Sequence, residues 1–284
     1  MTETSLTQSD PDTIILRPSR GWSALNLADL WRYRELIFFL TWRDLKVRYK
    51  QTVLGVAWAV IRPVITMVIY SLIFGNLAQL DSEGVPYSIF TYVALLPWQL
   101  FSKAMNDAGR SMVSNRNMVT KIYFPRLVIP VSTILSGLVD FLIAFVILIG
   151  MMIYFQVPIT LNVLYLPLFL LLALVTALGV GLWFSALNVY YRDVGYVLPF
   201  LTEVWKYITP VAYSAQYITG KWQFIYALNP MAGVVQGFRW ALLGTTLDAS
   251  ALTTISISAF VAVVVLISGL FYFRRMERSF ADMV

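Results

Sequence analysis

Cysteine and histidine are both missing from the 284 residues. Their absence removes disulfides, thiol nucleophiles, His–Cys metal sites, Ser–His–Asp triads and histidine proton relays. Charge is scarce, at 13% Asp, Glu, Lys and Arg against about 25% in an ordinary soluble domain. There is no phosphate-cradling loop of the form GxxxxGK followed by Ser or Thr. The nearest approach is Gly220–Lys221, where Ala215 replaces the first glycine and Trp222 the hydroxyl residue. ATP is therefore not bound here in that way, and energy for any work must come from a partner or an ion gradient. The N-terminus carries no signal-peptide pattern. Residues 1–25 read as a polar, flexible cytoplasmic tail containing Asp10, Pro11 and Asp12.

What the chain does have is apolar surface: 59% of it is hydrophobic, too much for one soluble core. A helix crossing a bilayer needs about 20 largely apolar residues. Six stretches qualify, at about 53–80, 87–109, 128–155, 164–190, 194–213 and 251–273, the fifth being the least apolar. The expectation is an all-α integral membrane protein whose six spans form one domain over 53–284. Lys and Arg set its orientation. Basic residues crowd the segment before the first span, the second connection (Lys103, Arg110, Arg116, Lys121, Arg126) and the C-terminus (Arg274, Arg275, Arg278). Connections 81–85 and 156–162 have none, and the long fifth-to-sixth connection has only Lys221 and Arg239. Both termini are expected in the cytoplasm.

Residues 26–52 form an amphipathic pattern ahead of the first span. Asn26 and Asp29 are candidate caps. Phe38, Trp42, Leu45 and Tyr49 make one helical stripe, with Arg32, Arg43, Lys46 and Lys50 on a neighbouring face. Such a helix lies in the headgroup zone or, alternatively, packs on a cytosolic partner. Residues 114–125 predict a short helix across two span ends. Asn115, Asn117 and Thr120 are its capping residues, and Val119, Ile122, Tyr123 and Phe124 its apolar face. Residues 224–243 predict a pair of short outer helices, broken at Asn229 and Pro230 and dipping into the membrane, or a plain external loop.

Three features carry candidate chemistry. Asp140 and Glu203 are intramembrane carboxylates, functional by default in an ion-coupled carrier and otherwise polar links between helices. Glu203 has Lys206 and Tyr207 at i+3 and i+4. Trp58, Arg62, Thr66, Tyr70 and Phe74 form an i+4 row. This is either a route for sugar rings with an Arg suited to a pyrophosphate, or an interfacial belt plus core packing.

Several long segments together resemble one family. These are 31–63 (WRYRELIFFLTWRDLKVRYKQTVLGVAWAVIRP), 95–126, 190–214, 227–244 and 273–284 (FRRMERSFADMV). They are similar to the permease subunit of type-two ABC exporters for polysaccharides, the group that exports O-antigen, capsule and teichoic-acid chains. The resemblance implies a homodimer in a bacterial inner membrane, joined by two copies of an ABC nucleotide-binding subunit that carries ATP and Mg. No cofactor on this chain and no nucleic acid are implied. The substrate would be a polysaccharide on a polyprenyl pyrophosphate lipid. A channel at the dimer interface would be bordered by Arg48, Trp58, Arg62, Thr66, Tyr70, Phe74, Glu203 and Tyr207. The ATPase would dock on Asn115, Arg116, Asn117, Met118, Val119, Lys121, Ile122, Tyr123 and Phe124, with a smaller contact at Arg192 and Asp193. Asn229, Pro230, Phe238, Arg239 and Trp240 would belong to an outer gate. A drug or small-lipid ABC exporter is the alternative, and an ion-coupled carrier a more distant one.

Overall fold

The computed structural model of the chain describes residues 27–50, 55–218, 220–277 and 280–283. The expected tail, the Asn26 cap, the junction 51–54 and Arg278 lie outside the described residues. Within them every regular element is helical. Two helices precede the first long one: α1 (Leu27–Arg32) and α2 (Arg34–Lys50). α3 (Gly55–Tyr70) runs on as a π-helix, Ser71–Leu77, and α4 spans Tyr87–Ser114. α5 (Arg116–Lys121) is one and a half turns long and leads to α6 (Val128–Tyr154). α7 (Leu166–Tyr190) follows a 3-10 turn, Leu161–Tyr165. Then come α8 (Val194–Ile208), α9 (Lys221–Ala227), α10 (Pro230–Leu243), α11 (Ala249–Glu277) and α12 (Phe280–Met283).

Four helical stretches are long and apolar enough to cross a bilayer: Val56–Leu77, Val128–Tyr154, Leu161–Tyr190 and Ala249–Glu277. α4 has 28 residues, but Gln99, Lys103, Asn106, Asp107 and Arg110 dilute its second half. α8 ends at Ile208, short of the 213 expected from the sequence, because Thr209–Ser214 form a turn. Its 15 residues are about 22 Å long, less than a hydrocarbon core of about 30 Å.

α4 is the central helix. Every residue from Ile89 to Trp98 is buried, since α3, α6, α7 and α10 surround it. A helix apolar on all sides needs such surroundings. α6, by contrast, keeps Leu135, Leu142, Val146, Ile149 and Ile153 exposed on one stripe and buries Ile134, Phe141, Ala144, Leu148 and Met152 on the other side. The exposed stripe fits lipid. In lipid the helices are drawn together by close van der Waals contact, so small residues mark the crossings. At the α7–α11 crossing a Cβ on Gly179 would sit 2.6 Å from the Leu266 nitrogen, and one on Gly269 would sit 2.3 Å from the Gly179 oxygen. Only glycine admits that approach.

A second, smaller core closes one end of the bundle. Leu40, Met112, Val119, Phe124, Leu127, Phe273 and Phe280 belong to it. Arg126 ties it to the end of α11: its backbone NH donates to Glu277 Oε1 at 3.1 Å and its guanidinium donates to the Glu277 carbonyl. The stripe expected on α2 is divided. Phe38 and Trp42 face outward beside Phe39, while Tyr49 turns toward α6. Arg43 and Arg48 also turn inward, leaving Arg32, Arg34, Lys46 and Lys50 exposed.

Candidate functional site

A cavity of about 730 Å³ opens among α2, α3, α4, α6 and α8. Arg48, Trp58, Arg62, Thr66 and Glu203 from the sequence reading line it, together with Lys103, Asn106, Asp107, Asp140 and Lys206. Tyr70, Phe74 and Tyr207 are not among the lining residues. Tyr70 is buried edge-on to Phe74, ring centroids 5.4 Å apart. Tyr207 is 63% exposed on α8, with Lys206 Nζ 5.4 Å from its ring centre. The i+4 row divides because each step of four residues turns about 40° further round the helix. Trp58, Arg62 and Thr66 face the cavity, and at the next step, Tyr70, the row has already rotated into the packed core.

The cavity wall holds a compact ion cluster. Arg48 Nη1 donates to Asp140 Oδ2 at 3.0 Å and its Nη2 lies 3.5 Å from Asp107 Oδ2. Lys103 Nζ is 3.5 Å from Asp140 and 3.4 Å from Asp107. The Tyr49 hydroxyl donates to the other Asp140 oxygen, and Ser136 Oγ accepts from Arg48 at 3.2 Å. Burial, then the bond and charge of Asp140, push the Tyr49 phenol up to about 12, so it stays a donor. Glu203 is neutralised by Lys206 at 2.5 Å. Four cations against three carboxylates line the cavity. Arg62 has no carboxylate partner among the described residues; its guanidinium lies 5.9 Å from the Trp58 ring centre. The uncompensated positive charge therefore sits on α3, next to an indole.

Sequence reasoning missed the cluster as a unit. Lys103 and Asp107 share a face of α4 at i, i+4, which was legible. Asp140 finds Arg48 across 92 positions, and nothing local announces that pairing.

At the end closed by the second core, the expected helix 114–125 contracts to α5 and extended chain. Asn115 does not cap α5. Its amide donates to the Ser111 carbonyl at 2.8 Å and its oxygen accepts from Arg43 at 2.8 Å, so it joins α4 to α2. Thr120 bonds back to the Arg116 carbonyl at 3.0 Å within the helix. The apolar face is split as well. Val119 and Phe124 point into the second core, whereas Ile122 is exposed and Tyr123 is 79% exposed. The exposed surface is Arg116, Asn117, Thr120, Lys121, Ile122 and Tyr123, with Met118 half-buried. Arg192 and Asp193 are exposed in the turn before α8.

The residues expected in an outer gate are largely internal. Asn229 caps α10 by accepting from the Met231 NH at 3.1 Å, and it also takes the Trp205 indole NH at 2.9 Å. Pro230 begins α10, and Phe238 is buried against Phe141 at 6.2 Å. Trp240 packs on Tyr165 at 5.3 Å. Arg239 is 2% exposed, donates to the Val211 and Tyr213 carbonyls at 3.0 Å each, and stacks 3.5 Å from the Phe90 ring centre. It holds the turn after α8 onto α10.

A helical bundle with lipid-fitting stripes and four helices long enough to cross a bilayer, with a charged cavity between them, is the make-up of a multi-pass membrane protein. The chain belongs to the ABC-2 type transporter family, whose profile matches residues 35–243. It is 30% identical to an O-antigen export system permease protein, RfbA, of Klebsiella pneumoniae over 251 residues, covering 88% of this chain and 95% of the relative. A protein of the same name from Myxococcus xanthus is 30% identical over 74% of this chain and 81% of its own length. The polysialic acid transport protein KpsM of Escherichia coli is 24% identical over 84% of this chain and 92% of its own.

Proposed function

We propose that the chain is the membrane-spanning subunit of an ATP-driven exporter that moves a lipid-linked polysaccharide across a bacterial inner membrane. The relatives that match over most of their length carry names of O-antigen and polysialic acid export. One structural observation carries the reading: Arg62 stands beside Trp58 at a cavity with a net positive charge. A guanidinium suits a pyrophosphate and an indole suits a sugar face.

In this reading α4 crosses with the four long apolar helices, and α8 makes the sixth pass only together with the turn Thr209–Ser214 that continues it, leaving both termini in the cytoplasm. The outer helices α9 and α10 dip into the membrane without crossing it. The protein acts as a homodimer with two ABC nucleotide-binding subunits, which carry ATP and Mg. Two features support a partner along α3 and α8. α3 leaves Val56, Ile65 and Ile69 exposed, its π-helical continuation leaves Leu72 exposed, and α8 leaves Tyr196, Phe200 and Tyr207 exposed. A channel between two such faces would take in Trp58, Arg62, Thr66, Glu203 and Tyr207. The short segment around α5 would receive the ATPase through Tyr123 and its neighbours, with Arg192 and Asp193 as a second contact.

The cavity volume of about 730 Å³ is also that of a drug-sized ligand site, which favours a small-lipid exporter as the second reading. Transport assays with a lipid-linked polymer and with a short lipid separate the two. Arg62→Ala should lower export and affinity for the pyrophosphate lipid, while unchanged values would remove Arg62 from the route.

A further inference from the structure

Two exposed helix faces carry full charges of opposite sign. On α3, Trp58, Arg62, Ile65 and Ile69 are exposed at spacings of 4, 3 and 4. On α8, Tyr196, Phe200, Glu203 and Tyr207 are exposed at the same spacings. Alternating steps of four and three keep a single seam along a helix, the pattern by which helices pack in pairs. The faces that fit lipid are different: the exposed stripe of α6 is Leu135, Leu142, Val146, Ile149 and Ile153, with no charge. A charge turned toward hydrocarbon is expensive, so charged side chains at that depth face protein or water. Arg62 has no carboxylate partner among the described residues and stands beside the Trp58 ring. The Glu203 side chain is 67% exposed; Lys206, itself 16% exposed, engages its Oε2 from one side, and the carboxylate still faces outward.

The two helices run in the same direction. The Tyr87 ring packs against Gly75, in the π-helical continuation of α3, and its hydroxyl donates to the Ala212 carbonyl just after α8. Their far ends therefore meet at one residue. Arg62 and Glu203 both line the charged cavity, so they lie at nearby levels. A two-fold axis along the bundle preserves that direction. It sets α3 of one copy beside α8 of the other, and the contact then occurs twice. Within one chain both seams stay open.

We infer that Arg62 pairs with Glu203 of the partner subunit, the α3 seam packing on the α8 seam of a second copy of this chain. The inference rests on the homodimer of the functional reading and adds the residue that the second copy contributes. The pair occupies the guanidinium at rest, so an arriving pyrophosphate has to displace a carboxylate to reach it.

The chain has no cysteine, so Ile65→Cys and Tyr207→Cys, one helical step beyond each charge, place the permease's only thiols on the two seams. The full-length permease with its ATPase subunits in proteoliposomes is bridged with a short bis-methanethiosulfonate reagent. Non-reducing electrophoresis should show a covalent permease dimer, and peptide mapping should place the bridge between two chains. Arg62→Glu in that background sets like charges together and should cut the dimer several-fold; adding Glu203→Arg should restore it. Arg62→Gln with a melting curve guards against misfolding of the Arg62→Glu chain: weaker bridging at normal melting supports the pair. A bridge within one chain only, or no bridge, overturns the inference, as does a dimer that both Arg62 variants leave unchanged. Native mass spectrometry of the extracted complex counts permease copies. One copy refutes the homodimer itself, and two copies without the bridge refute the seam contact alone. A bridged dimer that responds to the charge swap but exports no polymer refutes the export reading alone.

Discussion

Asp140 of α6 accepts a bond from Arg48 of α2 at 3.0 Å, and the neighbouring Tyr49 hydroxyl donates to its other oxygen. One carboxylate thus pins the end of the amphipathic helix to a membrane helix, just before the chain enters α3. It is met by two donors and by Lys103, so it links α2, α4 and α6.

Asp140→Ala should therefore release α2. It removes a half-buried partner of two cations, a loss of about 1–3 kcal/mol for groups left partly unpaired. Thermal unfolding of the detergent-solubilised protein should drop, and protease cleavage near Lys50 should quicken. Unchanged melting would show that α2 is held by apolar contacts alone.

Tyr49 supplies a milder version with a pH signature. Tyr49→Phe should cost about 1 kcal/mol. The phenol pKa is raised in the folded protein, to about 12 from 10.0. Its contribution is therefore complete below about pH 10 and is lost as pH rises through 12. The stability gap between wild type and Tyr49→Phe should be the same at pH 6 and pH 9, as followed by chemical unfolding.

Tyr123 and Phe124 are adjacent but face opposite ways, at 79% and 6% exposure. Tyr123→Ser should leave melting unchanged while cutting stimulation of the ATPase by substrate. Phe124→Ser should empty part of the second core and destabilise the protein by about 3 kcal/mol. Measuring both melting and ATPase stimulation separates docking from packing; identical behaviour of the two variants would contradict the placement.

Gly269→Val should prevent α7 and α11 from closing, because even a Cβ would lie 2.3 Å from the Gly179 oxygen. Gly150, with nothing within 4 Å, is the control and should accept alanine. Yield of monodisperse protein on size exclusion reads the difference.

Arg239→Lys should not preserve stability. A lysine offers one ammonium where the guanidinium reaches two carbonyls and covers the Phe90 ring. Loss of about 2–4 kcal/mol, as for a broken buried charged hydrogen bond, should appear as lower melting with little change in basal ATPase activity.

The long apolar helices were readable because lipid demands continuous hydrophobic runs, and α6, α7 and α11 supply them. α4 was readable by length, although its central position came from neighbours that the sequence does not name. α8 was overextended because Thr209–Ser214 are apolar enough to continue a span; the turn is set by Arg239 and Asn229 from α10. Within the site, Trp58, Arg62 and Thr66 followed from helical spacing. Arg48 came only from the family resemblance, and its pairing with Asp140 was not legible in the sequence. The apolar face of residues 119–124 misled because extended chain after α5 alternates sides, turning Tyr123 out and Phe124 in.

The most direct test is reconstitution of the permease with its ATPase subunits in proteoliposomes holding a polyprenyl-pyrophosphate polysaccharide. The account predicts that the polymer crosses the bilayer only with hydrolysable ATP, and that Arg62→Ala slows it while the ATPase remains assembled. Transport that persists without ATP hydrolysis, or that follows an imposed proton or sodium gradient, would contradict it.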